Sequence, residues 1–123
     1  MHRVSGIGGF FFRAAEPDSI ARWYSDNLGI DPVPLSYGDP SWTQEAGETV
    51  FTAMPEALDQ FGQPNRTWAI NFRVPDLDGM VEQLRTAGID VEVDPTVYPN
   101  GRFASLEDPE GNPIQLWEPE SGD

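Results

Sequence analysis

Few side chains in this sequence could do covalent or metal chemistry. There is no cysteine, so thiol nucleophiles, disulfides and zinc–thiolate sites are excluded. The one histidine, His2, precedes the first patterned segment, which leaves no Ser-His-Asp set and no His-based metal motif. Gly6-Ile7-Gly8-Gly9 lies inside an apolar run and opens no helix, so it is not a dinucleotide fingerprint. Carboxylates are plentiful: 21 Asp and Glu stand against seven basic residues, all arginine, for a formal charge of −14. Such a chain repels phosphate backbones, which argues against nucleic acid as a partner, and its acidity would attract a cationic ligand. A carboxylate such as Glu48 or Glu107 could serve as a general acid or base if the fold brought it to a pocket rim.

The elements that must position these groups fit one domain of 123 residues, with 38% hydrophobic and 11% aromatic residues. No apolar run approaches the roughly 18 residues of a membrane span, and residues 6–12 lack the flanks of a signal peptide. A cytoplasmic protein is expected. Residues 6–13, with three consecutive Phe, read as a strand buried on both faces. Glu16-Pro17-Asp18 starts a helix with Ile20, Trp23, Tyr24 and Leu28 on one stripe, and Gly29 stops it. Residues 31–40 form a loop, and 41–44 and 49–54 are two strands around a turn at 45–48. A connector follows, with a short helical piece at 56–61.

The pattern then repeats. Residues 67–74 read as a strand, and Asp76 caps a helix with Leu77, Met80, Val81 and Leu84 on its apolar side and Gly88 at its end. Residues 89–93 form a strand, 98–101 a turn, 102–107 a strand, and 120–123 a frayed tail. Phe12-Arg13 recurs as Phe72-Arg73 and Gly29-Ile30-Asp31 as Gly88-Ile89-Asp90, so the chain reads as an internal duplication. Residues 108–119, D-P-E-G-N-P-I-Q-L-W-E-P, make a type I turn and then an alternating strand. Ile114 and Leu116 take one face, Gln115 and Trp117 the other, and Pro119 ends the ladder.

That closing stretch, together with the duplication, resembles the glyoxalase-like domains of the vicinal oxygen chelate superfamily. This group holds glyoxalase I, bleomycin resistance proteins and extradiol dioxygenases. The resemblance implies an α+β fold of two tandem βαβββ units, residues 5–55 and 67–119 joined by a connector at 56–66. The units form a curved mixed sheet around a concave pocket, and members commonly form homodimers. Metal-using members take His or Glu ligands from four strands. Carried to this chain, those positions are Gly9, Thr52, Ala69 and Gln115. Two have no donor, one is a neutral hydroxyl and one an amide, so no metal or other cofactor is expected.

Strand parity then sorts the side chains. Gly9, Phe11, Arg13, Val50, Thr52, Ala69, Asn71, Arg73, Gln115 and Trp117 face the pocket. Phe10, Phe12, Ile70, Phe72, Ile114 and Leu116 face the helices, and Trp42 and Trp68 could join the lining. Phe11, Arg13, Thr52, Asn71, Arg73, Gln115 and Trp117 are the candidate ligand contacts, although Arg13 and Arg73 could equally pair with surface carboxylates. Such a lining suits a small organic molecule, aromatic or cationic. The alternative is a lyase or isomerase using a rim carboxylate or a divalent metal.

Overall fold

A computed structural model describes residues 1–57 and 65–120. Helix α1 spans Pro17–Leu28, strand β1 Ile70–Arg73, helix α2 Leu77–Thr86, strand β2 Glu92–Val93, strand β3 Gly101–Glu107 and strand β4 Pro113–Pro119. The four strands form one mixed sheet in the order β1-β4-β3-β2. β1 runs parallel to β4, while β3 is antiparallel to both of its neighbours. The fold is α+β.

Both helices end where their residue types require. Pro17 opens α1, and Gly29 closes it at φ 71°. Asp76 caps α2 by accepting from the Gly79 N–H at 3.0 Å, and Gly88 follows at φ 84°. These left-handed angles cost glycine nothing and other residues a steric penalty. Each helix also receives a carboxylate from the region of β4. Glu118 Oε1 accepts from Leu77 N at 2.8 Å, and the Glu110 carboxylate accepts from Ala15 N and Glu16 N at 2.6 and 3.1 Å. Negative charge there meets the positive end of the helix dipole and satisfies donors with no helical partner.

The core lies between the helices and one face of the sheet. Ile20 and Tyr24 of α1, Leu77, Val81 and Leu84 of α2, and Ala104, Leu106, Ile114 and Leu116 of the sheet are buried together. Phe12, Trp23, Ile70 and Phe72 pack against them. The expected parity of β1 and β4 therefore holds, since Ile70, Phe72, Ile114 and Leu116 all lie on the helix side.

The turn before β4 anchors this assembly. The Gly111 N–H donates to the Asp108 carbonyl at 2.9 Å, closing the expected turn. The Asp108 side chain is only 4% exposed. Its carboxylate accepts from Glu110 N, Asn112 N and Asn112 Nδ2 at 2.9, 3.0 and 2.7 Å, and from Tyr24 Oη of α1 at 2.6 Å. A buried carboxylate with four donors is tolerable where a bare one would not be.

The second half follows the β-α-β-β-β order read from the sequence, with β1 and β2 shorter than the expected 67–74 and 89–93. Residues 89–91 are not a strand, because Ile89 N bonds back to Leu84 O and Val91 turns into the core. In the first half α1 stands as expected. Among the described residues, the segments 6–13, 41–44 and 49–54 form no helix and join no strand ladder. Alternation prepares a chain for a ladder without supplying a partner for its backbone groups. The helical piece expected at 56–61 falls mostly outside the described residues, as does most of the tail at 120–123. Among the described residues, no helix is long and apolar enough to cross a membrane.

Burial raises the Tyr24 phenol well above its ordinary pKa, and its bond to Asp108 and that residue's negative charge raise it further. The unfolded chain ionises this phenol near pH 10, whereas the folded chain keeps the proton. The Tyr24 contribution is therefore complete below about pH 10, and stability falls above it by about 1.4 kcal/mol per pH unit for this one group. Tyr24→Phe should cost about 1–2 kcal/mol at pH 7 and remove that share of the alkaline loss. Urea titrations of both proteins at pH 7 and across pH 9.5–11 check this. Parallel alkaline losses in the two proteins would show the assignment to be wrong.

Candidate functional site

The sheet face away from the helices carries the polar groups. Asn71 of β1 and Gln115 of β4 are in register, and Ser105 of β3 pairs with Gln115 from the other side. Asn71 Nδ2 donates to Gln115 Oε1 at 2.7 Å, with both residues exposed. This bond leaves the Asn71 carbonyl oxygen and the Gln115 amide N–H groups free of protein partners among the described residues. The pair thus offers an acceptor beside a donor.

One register step along, Arg73, Trp117 and Phe103 lie across the three strands. The Trp117 and Phe103 rings are stacked with centroids 6.4 Å apart and planes 7° apart, and Tyr98 meets Phe103 edge-on at 5.6 Å. Trp117 is buried despite lying on this face, and its indole N–H donates to Asn100 O at 2.8 Å. It forms a wall more than a free contact surface. The Tyr98 hydroxyl donates to Asp94 at 2.8 Å. That bond raises the phenol's pKa, while the carboxylate is lowered, chiefly by the Thr96 N–H and then by Tyr98.

Arg73 is committed elsewhere. Its guanidinium donates to the carbonyls of Glu45, at 2.7 Å, and Glu48. A side-chain carbon added at Gly47 would sit 2.8 Å from the guanidinium carbon, so the 45–48 segment lies directly on this group. Arg73 therefore pairs with backbone oxygens and not with a surface carboxylate. Thr52 is exposed, and its hydroxyl donates to the neighbouring Ala53 carbonyl at 3.3 Å.

Phe11 and Arg13 belong to a different place. They line a cleft of about 480 Å³ with Phe12, Arg66, Trp68 and Asn112. Trp68 packs there against Phe10 and Phe12, with centroids 5.1 and 5.8 Å away, and does not join the sheet-face lining. Of the seven expected contacts, Asn71, Arg73, Gln115 and Trp117 lie on the sheet face, Phe11 and Arg13 line the cleft, and Thr52 belongs to neither. Phe103 and Tyr98 were missed, although the Phe103–Ser105 alternation carried the signal. Arg66 lies in the connector, where no periodicity marks it.

The donors at the positions implied for a metal do not fit one. Gly9 and Ala69 have no side-chain donor, and Gln115 Oε1 already accepts from Asn71. Among the described residues, no three His, Asp or Glu side chains come together as a metal site would require.

A family model for the glyoxalase-like domain matches residues 9–117. The chain belongs to the glyoxalase-like family. Over 92 residues it is 34% identical to the anthracycline biosynthesis protein DnrV of Streptomyces peucetius, a match taking in 72% of this chain and 32% of that protein. This glyoxalase-like chain therefore spans about a third of that relative's length. Among solved structures it is similar to TnmS3, an antibiotic-binding protein from Streptomyces sp. CB03234, with a TM-score of 0.68, 21% identity, and coverage of 98% of this chain and 100% of that one. It is also similar to lactoylglutathione lyase from Agrobacterium tumefaciens, with a TM-score of 0.58, 19% identity, and coverage of 94% and 95%. These two structures share the fold, and the family match agrees with the resemblance read from residues 108–119.

If Arg73 holds the 45–48 segment, Arg73→Gln should release it. Cleavage after Glu45 and Glu48 by a glutamate-specific protease should then speed up by about tenfold, the equivalent of about 1.4 kcal/mol of lost local stability. Unchanged cleavage would show that other contacts hold the segment.

Proposed function

We propose that this glyoxalase-like domain is a binding protein that holds a small organic molecule, aromatic or cationic, against the open sheet face, without a divalent metal or other cofactor. The observation that carries the reading is the Asn71–Gln115 pair, an exposed acceptor and donor in register beside the Phe103–Trp117 stack. Amides orient a ligand, and aromatic walls supply apolar contact. Further support comes from the unsuitable donors at the metal positions, from the kinship with DnrV, and from the fold shared with TnmS3, itself an antibiotic-binding protein. The cysteine-free sequence is in keeping with a cytoplasmic setting.

Thermal-shift screening against aromatic and cationic compounds, antibiotics included, tests this. A ligand at a hundred times its Kd should add about 2.7 kcal/mol, and Gln115→Ala should weaken its binding by about tenfold. The reading fails if no compound stabilises the protein, or if elemental analysis finds stoichiometric Ni, Zn, Mn or Fe. Turnover of a bound compound that disappears in Glu48→Gln or Glu107→Gln would turn the binder into an enzyme.

We also propose a homodimer. Phe11, Phe51 and Val50 are 93%, 92% and 73% exposed, on segments without ladder partners among the described residues. Exposed apolar chain of this kind is normally covered, and a second copy is the simplest cover. Light scattering should report two chains per particle, and Phe51→Asp should shift the protein to one. A strictly monomeric native protein excludes the dimer.

A further inference from the structure

The cleft beside the Asp108 turn has a composition the sheet face lacks. Two of the chain's seven arginines, Arg13 and Arg66, line its volume of about 480 Å³. Arg66 donates to Asn112 Oδ1 at 2.9 Å and to the Glu110 carbonyl at 2.5 Å, both neutral acceptors. Its Nε is shut off from solvent and has no hydrogen-bond partner among the described residues. Arg13 is exposed and, among the described residues, makes neither a hydrogen bond nor an ion pair. The ion pair found among them is Arg102 with Asp78.

In this sequence carboxylates outnumber arginines three to one, 21 to seven. Two guanidiniums line this one cleft, and among the described residues neither has a carboxylate partner. Apart from Asn112, aromatic rings supply the rest of the lining. Trp68 and Phe12 are packed together at 5.8 Å, while the Phe11 ring is 93% exposed at the opening. Guanidiniums bind carboxylates through paired, charge-assisted hydrogen bonds, and aromatic walls accept a planar ring. The volume falls within the usual range of small-molecule sites.

From this juxtaposition we infer that the cleft formed by Phe11, Arg13, Arg66, Trp68 and Asn112 is a second binding site, for a planar aromatic molecule carrying a carboxylate. The carboxylate meets the two guanidiniums and the ring lies against Trp68. The site shares no residue with the sheet face, so its failure and that of sheet-face binding are distinguishable, while Phe11 at its edge also belongs to the surface proposed for the dimer.

The test uses the intact protein with 2-naphthoate as probe, 2-naphthamide as its uncharged match, and titration calorimetry with tryptophan fluorescence as readouts. Naphthoate should bind about tenfold more tightly than the amide and quench emission that is absent in Trp68→Phe. Arg13→Gln, a change at an exposed position, should abolish the preference for the carboxylate. Arg22→Gln makes the same change in net charge on the exposed surface of α1 and should leave the preference intact. The assignment is overturned by absence of binding up to about 5 mM naphthoate, by equal affinity for the two probes, or by an equal loss in both arginine variants. Loss of naphthoate binding in Gln115→Ala would move the molecule to the sheet face and likewise overturn it.

Discussion

The Asp108 carboxylate is the interaction on which the remaining structure depends. It is buried, and it accepts from two backbone N–H groups of its own turn, from the Asn112 amide and from Tyr24 on α1. A buried carboxylate without such donors would cost several kcal/mol, so turn, helix and strand must come together as one unit. Asn112 passes the connection on through its carbonyl oxygen to Arg66, ahead of β1. The same short stretch sends Glu110 to the chain entering α1, while Glu118, further along β4, reaches the start of α2. Both helices are thus positioned by carboxylates on or beside one strand, and the sheet's polar face is set as a consequence.

That arrangement makes the sheet two-sided. The helix side takes the aliphatic and aromatic core, which leaves Asn71, Ser105 and Gln115 in a row on the other side with the Phe103–Trp117 stack next to them. The uses of three arginines also separate. Arg73 spends its donors holding the 45–48 segment, so it adds no free charge to the sheet face. Arg13 and Arg66 sit beside the cleft around Trp68. A strongly acidic chain therefore has one face whose free polar groups are two amides and the Ser105 hydroxyl, and one cleft lined by two guanidiniums.

Legibility differed between elements for physical reasons. Helices α1 and α2 were readable because their signals are local: a proline or aspartate at the start, apolar residues three and four apart, and a glycine at the end. The alternation in β4 was readable because one of its faces meets the core. The same alternation misled at residues 89–91, where the backbone returns to the helix end. In the first half it predicted strands at 6–13, 41–44 and 49–54 that, among the described residues, join no ladder. The face assignments of Asn71, Arg73, Gln115 and Trp117 followed from parity, whereas the grouping of Phe11 and Arg13 with Arg66 and Trp68 did not.

By itself, then, the sequence determined the two helices, the closing turn and strand, the side that the β1 and β4 residues take, and the resemblance to the glyoxalase-like family. Only the tertiary structure decided which groups meet. The carboxylate of Glu110 reaches the backbone at Ala15 across 95 positions of chain, and Tyr24 reaches Asp108 across 84. Local periodicity records how a segment curls and which side it buries. Contacts over such separations depend on how segments pack in three dimensions, and no spacing along the chain encodes that.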